Sequence, residues 1–297
     1  MASQRDIKRR IASVQSTKKT TKAMQMVAAA RLRRAQLRTE RMRPYAENML
    51  EFIGGLVHYL EEDDLSKWPL IEEHEEANTV TLVPLAADRG LCGAFNSNII
   101  RQVNDLVRKY KAEGKEVKII AVGRKGISTL RFQGHKLHNT YSDIGDRSAF
   151  MDAQALCKRI ADQYSGHETD RVHLIFNRFV SPMEQVVMDQ VVLPIQEELA
   201  NKYTPSDAIE HMDFIFEPTE KEILDELLPS YLEITVYRAI LESMASEHGA
   251  RMTAMRNASE AAEEMVENLT LEMNRARQFS ITQEILEVVA GADALSG

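Results

Sequence analysis

Residues 230–290 read SYLEITVYRAILESMASEHGARMTAMRNASEAAEEMVENLTLEMNRARQFSITQEILEVVA, a run of 61 residues with no proline and one glycine, Gly249. Nothing in it forces a helix to stop. Counting sevens from Ile234 gives Leu241, His248, Met255, Ala262, Leu269, Ala276, Gln283 and Ala290. A second series lies three residues beyond, from Tyr237 through Met244, Arg251, Ala258, Met265, Glu272 and Phe279 to Leu286. Twelve of the sixteen positions after Ile234 are apolar. At ~1.5 Å per residue this is a rod of roughly 90 Å, far longer than the ~10 to 14 residues of a typical globular helix. Such a seam calls for a partner helix.

The partner stands at the other end of the chain. Residues 2–43 contain neither Gly nor Pro, and sevens from Ile7 give Val14, Thr21, Ala28, Ala35, Met42, Met49 and Leu56. The second series is more mixed: Ile11, Lys18, Gln25, Leu32, Thr39, Ala46, Ile53 and Leu60. The pattern predicts two long terminal helices paired as an antiparallel coiled coil. Packing of each stripe on a globular core is the usual fate of an amphipathic helix, but the chain leaves no core of matching length. The expected division is residues 1–60 as the first coiled-coil helix, 61–77 as an acidic connector, 78–195 as a central α/β domain, 196–229 as a return segment, and 230–297 as the second coiled-coil helix.

The charge is divided along the chain in a way the net −8 conceals. Residues 1–43 hold 13 Lys or Arg against two acids, a local +11, while residues 230–297 hold 5 basic and 11 acidic groups. Rods of opposite sign favour each other, and the excess of positive charge on the first still needs an acidic environment. No run approaches the ~18 apolar residues of a membrane span. The heptads begin almost at Met1 and leave no room for a signal or transit peptide, so the expected location is cytosolic or on a cytosolic face, without direct membrane insertion. Cys92 and Cys157, 65 residues apart, fit reduced core thiols better than a disulfide or zinc site.

Between the rods, residues 61–77 place eight acids around Trp68 and Pro69 and read as a solvated connector; His74 among them reads as solvated rather than as a metal ligand. Residues 79–86, 117–122, 136–141, 172–179 and 185–193 have strand character, and residues 99–114, 124–132 and 149–164 helical character. Alternation of this kind predicts a mainly parallel, Rossmann-like sheet between helices, with the last strand running back. The return segment 196–229 carries three prolines and one short strand-like piece at 214–216.

The sequence offers no credible active site, and no cofactor is expected. The turn Asp88-Arg-Gly-Leu-Cys-Gly-Ala-Phe-Asn96 sits where doubly wound folds bind phosphates, but it lacks the G-x-G-x-x-G spacing and no Walker sequence occurs. Gly123-Arg-Lys-Gly126 has two basic residues but no hydroxyl for magnesium. Cys92 would need a base, and neither His135 nor His138 is placed beside it by sequence, so it reads as an inert thiol. Two other functions remain open at this point: a coiled-coil nucleic-acid binder, suggested by the +11 segment, and a nucleotide-binding α/β enzyme with helical arms. Against the first, the arginines from Arg31 to Arg43 are not interleaved with aromatics. One more stretch departs from a plain coiled coil. From Ile285 to Leu295 the helix is apolar on all faces, with only Glu287 and Asp293 charged, and a helix of that kind is normally buried. One partner covers one stripe, so a sleeve made by other chains is expected.

Three segments carry a family resemblance: Thr17-Lys-Lys-Thr-Thr-Lys-Ala-Met-Gln-Met-Val-Ala28, Asp88-Arg-Gly-Leu-Cys-Gly93 and Ile281-Thr-Gln-Glu-Ile-Leu-Glu-Val-Val-Ala-Gly-Ala292. Together they resemble the gamma subunit of the rotary F-type ATP synthase, over the whole chain. The resemblance implies a non-catalytic shaft turning inside three alpha and three beta subunits, with the epsilon subunit and the membrane c-ring as further partners and no nucleic acid. It implies that transmembrane ion flow, coupled by rotation, drives ATP synthesis at the beta subunits. Lys18, Lys19, Lys22 and Met24 match one family segment facing the beta subunits, and Arg277, Gln278, Thr282 and Gln283 match the other. Ile285, Leu286, Val288, Val289, Ala290 and Leu295 would form an apolar bearing tip. The chloroplast regulatory insertion has no counterpart, which implies a bacterial type, peripheral on the cytoplasmic face of the inner membrane.

Overall fold

In the computed structural model the described residues are 4–59, 68–74, 77–144, 149–195 and 220–296. Among them, ten elements follow in order: α1 (Gln4–Tyr59), β1 (Thr79–Pro84), α2 (Phe95–Ala112), β2 (Glu116–Val122), α3 (Arg124–Phe132), β3 (Asn139–Tyr141), α4 (Ala149–Ser165), β4 (Arg171–Phe179), β5 (Gln185–Leu193) and α5 (Glu220–Ser296). The strand-like piece at 214–216 lies outside the described residues. The chain divides into two compact units, one of residues 1–28 with 252–297 and one of residues 29–251.

The second unit is built on a five-stranded sheet of order β3-β2-β1-β4-β5. β1 pairs in parallel with both β2 and β4, β2 in parallel with β3, and β5 runs back antiparallel on β4. This is the expected mixed sheet. Alternation along the strands feeds two cores. Val80, Leu82, Ile119 and Ile175 face α2 and α3, while Val83, Leu85, Ile120 and Leu174 face α4, Ile53 of α1 and the beginning of α5.

Three expectations are corrected here. The second terminal helix starts at Glu220 rather than at 230, so Pro229 lies inside it. A helix-interior proline costs about 3 kcal/mol, but Leu224, Leu228, Tyr231 and Leu232 around it are all buried, and each such side chain returns about 1.5–3 kcal/mol. Burial therefore outweighs the missing hydrogen bond. The second correction concerns residues 231–251, which are buried on nearly every face. That part of α5 is a core helix of the α/β unit, so a globular core does exist for it. The third concerns the acidic connector. Trp68, Leu70 and Ile71 are buried in the core, and His74 is docked rather than solvated, its side chain 7 % exposed and its Nδ1 2.8 Å from Asp170 Oδ1. Its ring stacks on Tyr164 and lies against His167. The charged residues of this run read as solvent-facing because sequence cannot show that Tyr164 and Asp170, some ninety residues on, supply a seat.

The first unit is a two-helix antiparallel coiled coil. Ile7, Thr21 and Ala28 are buried on α1, and Met255, Ser259 and Ala262 on α5. The series of α5 continues through Val266, Leu269, Met273 and Ala276, all half-buried. One series thus lies four residues beyond Met255, not three: Met265 is exposed while Ser259 is buried. Apolarity alone selects Ala258 and Met265, and the structure selects Ser259 because its hydroxyl meets that of Thr21 at 2.6 Å, satisfying both buried groups.

Candidate functional site

The place where a Rossmann-like sheet binds nucleotides is the crevice at the carboxyl ends of the strands where their order reverses, here between β1 and β4. In this protein α5 fills it. Ser243 donates to the Leu85 carbonyl and Ser246 to the Asn177 carbonyl, and the Arg251 guanidinium donates to the carbonyls of Arg89 and Gly90. What remains beside it, between Ala86, Gly123, Ser243 and Glu247, is a cavity of about 40 Å³, against the ~300–1,000 Å³ of a ligand pocket. The N-terminus of α3, the other candidate phosphate seat, is occupied by a carboxylate: Asp88 Oδ1 accepts from the Arg124 backbone N–H at 2.9 Å. An anion brought there would meet like charge.

The glycines of these turns are explained by backbone approach. A Cβ on Gly123 (φ +88°) would lie 2.0 Å from the Ala86 carbonyl oxygen. Cys92 is buried, donates weakly to the Arg89 carbonyl and accepts from Asn96. Burial pushes its thiol pKa up, against the lowering charge of Arg251. It is a core thiol, as is Cys157, raised by burial and by Glu233. Beside the crevice Arg251 pairs with Glu247 at 2.6 Å, and burial raises the Glu247 pKa although Arg251 opposes it.

Sequence reading missed one buried relay. Tyr110 Oη lies 2.8 Å from His173 Nε2, and His173 Nδ1 lies 2.7 Å from Asp189 Oδ1. Its only sequence signal is a histidine at an inward position of β4. The relay ties α2, β4 and β5 together and opens onto no crevice described above.

The expected contact residues lie on the coiled-coil unit. Lys18, half-buried, pairs with Glu263 at 2.7 Å, and the hydrogen bond and charge of Lys18, with Lys22 beyond, hold the Glu263 carboxyl below its ordinary range. Lys19 and Lys22 are exposed and Met24 is half-buried. The pairs Thr21–Ser259 and Lys18–Glu263 set a register in which the two positions sum to about 280, so Gln4 stands opposite residues 276–277. Beyond that point α5 runs on without a partner among the described residues. Arg277, Gln278, Thr282 and Gln283 are exposed, and so are Ile285 (57 %), Leu286, Val288 (72 %), Val289 and Ala290. The side chain of Leu295 lies outside the described residues. A bare helix with this many large apolar side chains is an unmade interface.

A filled nucleotide crevice, a coiled coil of the two terminal helices and an apolar helix end with no partner among the described residues make exposed surfaces the candidate functional sites of this protein. The comparisons with known proteins agree. The family model described as ATP synthase matches residues 3–295. The chain is 42% identical to the ATP synthase gamma chain of Geobacter metallireducens, with all of both chains covered. It is 44% identical to that of Moorella thermoacetica, over 99% of this chain and 100% of the other. Among solved structures, the central stalk and c-ring assembly of the Tetrahymena thermophila mitochondrial ATP synthase contains a chain with TM-score 0.60 and 30% identity, covering 81% of this chain and 99% of that one. A chain of the Euglena gracilis mitochondrial enzyme in rotational state 3, at TM-score 0.69 and 18% identity, covering 98% of this chain and 94% of that one, shares the fold. The chain belongs to the ATP synthase gamma-chain family and is a non-catalytic subunit.

Proposed function

We propose that the chain is the central rotor shaft of an F-type ATP synthase, coupling transmembrane ion flow to ATP synthesis and hydrolysis at catalytic beta subunits by rotation. The observation that carries this reading is the run of α5 past residue 277, apolar at its end and uncovered. An apolar helix end exposed to water is stable in an assembly that sheathes it. Three alpha and three beta subunits supply such a sleeve, and the epsilon subunit and c-ring are the partners of the α/β unit. Lys18, Lys19, Lys22 and Met24 on one helix and Arg277, Gln278, Thr282 and Gln283 on the other form the collar that meets the beta subunits, with Ile285, Leu286, Val288, Val289, Ala290 and Leu295 as bearing tip. Exposed ion pairs suit a turning surface because they are screened and exchange partners readily. The bacterial relatives support a location on the cytoplasmic face of a bacterial plasma membrane.

The test is reconstitution. The purified chain added to isolated alpha and beta subunits is expected to restore cooperative ATPase activity and to co-purify with the hexamer. Failure to assemble with them would remove this reading.

A further inference from the structure

We propose that the outer surface of the α2–α3 layer is a docking surface for the anionic headgroups of a lipid bilayer. The first observation is charge. Residues 101–136 hold ten Lys or Arg against three acids, a net +7 in a chain of net −8. Some of these charges are spent locally: Lys118 donates to the Glu168 carbonyl, Arg124 pairs with Asp88 and Asp143, and Lys115 lies 3.6 Å from Glu113. What remains is gathered. Arg101, Arg108 and Lys111 of α2 line an open groove against Gln133 and His135 beyond α3, with Arg131 and Lys136 exposed next to it. Asp105 is the acid in the groove; its pairing with Arg108 spends that charge too, and the field of the groove is carried by Arg101, Lys111, Arg131 and Lys136. The floor is fixed by Asn104, which donates to Gln133 and meets His135 Nε2 at 2.8 Å. The local field is positive enough that His135, already disfavoured as a cation by burial, is pushed further down by the charge of Lys111.

The second observation is Phe132. It is the last residue of α3 and is 92 % exposed, an aromatic ring presented to solvent between Arg131 and Lys136. Charge alone would suit any polyanion. A single projecting aromatic among basic residues suits a bilayer, where basic side chains meet headgroups and the ring enters the interface. Single-stranded nucleic acid would ask for several stacking aromatics in a row, and this face shows one. The contact is peripheral, since no described helix is long and apolar enough to cross a membrane. The proposal rests, for the nearness of a bilayer, on the reading of the chain as a subunit of a membrane-coupled rotary enzyme.

The test uses the full chain and vesicles of phosphatidylcholine with or without phosphatidylglycerol. Trp68 is buried, so a Phe132→Trp variant reports the new site by difference. Its emission is expected to shift to the blue with phosphatidylglycerol vesicles and not with phosphatidylcholine alone. Partitioning should fall on the order of 100-fold in an Arg101→Glu, Lys111→Glu, Lys136→Glu variant, at about fivefold per basic residue. A matched Arg33→Glu, Arg34→Glu, Arg41→Glu variant on α1 should keep the Phe132→Trp shift. Vesicle binding without a shift at 132, loss of that shift in the α1 variant, or binding of duplex DNA but not vesicles at this face would each overturn the proposal. ATPase restoration separates this result from the shaft reading: a Phe132→Trp chain that restores ATPase but shows no response to phosphatidylglycerol vesicles sinks the docking surface alone, and no ATPase from the unaltered chain sinks the shaft.

Discussion

Gly123 shows how one residue decides a local path. With φ at +88° and the Ala86 carbonyl oxygen 2.0 Å from where a Cβ would stand, no other residue fits without moving a strand end. Gly123→Ala is expected to cost at least about 3 kcal/mol, from left-handed strain and overpacking together, read as a fall in the thermal midpoint. Asp170 is decided by its neighbours instead. Burial pushes its pKa up, but hydrogen bonds from His74 and the backbone N–H groups of Thr79 and Asn78 and the charge of His74 prevail, and the carboxyl sits below its ordinary value. A depressed acid adds stability above its unfolded pKa and loses it as pH falls through the folded value. Urea midpoints are therefore expected to drop more between about pH 5 and about pH 3 in the unaltered chain than in Asp170→Asn; equal drops would show that the His74 seat carries no pH-linked stability. Neither effect was legible beforehand. Gly123 could be read as a turn, but its clash partner, Ala86, lies beyond the end of β1, and the seat of His74 is remote in sequence.

At the scale of elements, much was readable where period and burial coincide. The bounds of α3 and β5 follow directly from pattern, as does the antiparallel return of β5. The coiled-coil seam was readable in one series and not in the other, since choosing between Ala258 and Ser259 requires knowing that Thr21 stands opposite. The role of α5 in the crevice was hidden for a similar reason. Arg251 and His248 looked like polar interruptions in an apolar seam, and they are buried at the mouth of a sheet. Arg251→Met leaves the buried Glu247 carboxylate without its guanidinium, and breaking such a pair typically costs 3–5 kcal/mol. A thermal melt should show the loss, and adding Glu247→Gln to that variant should recover a large part of it. No recovery would mean that the carbonyl bonds to Arg89 and Gly90, rather than the charge, hold the turn.

At the scale of the whole molecule, pattern alone exposes Lys19, Lys22, Arg277 and the stretch from Ile285 to Ala290, and these are exposed, whereas Lys18 is half-buried and paired with Glu263, a partner too remote in sequence for pattern to show. The tip gives the clearest expectation. Residues 285–292 are exposed, so a chain truncated after Glu284 should keep the thermal midpoint of the full chain within about 0.5 kcal/mol equivalent. It should also self-associate less in sedimentation and lose much of its ability to restore ATPase to alpha and beta subunits. A large fall in the midpoint would show that the tip is covered by its own chain.

The Thr21–Ser259 contact joins residues 238 apart, which sets a schedule for synthesis. The helix that carries the +11 segment leaves the ribosome well ahead of its partner. At ~5–20 residues per second, its apolar seam waits roughly 10–50 s before a mate exists. During that interval the lysines and arginines of α1 are the charge that keeps the newborn helix soluble, until translation delivers the other half of the seam.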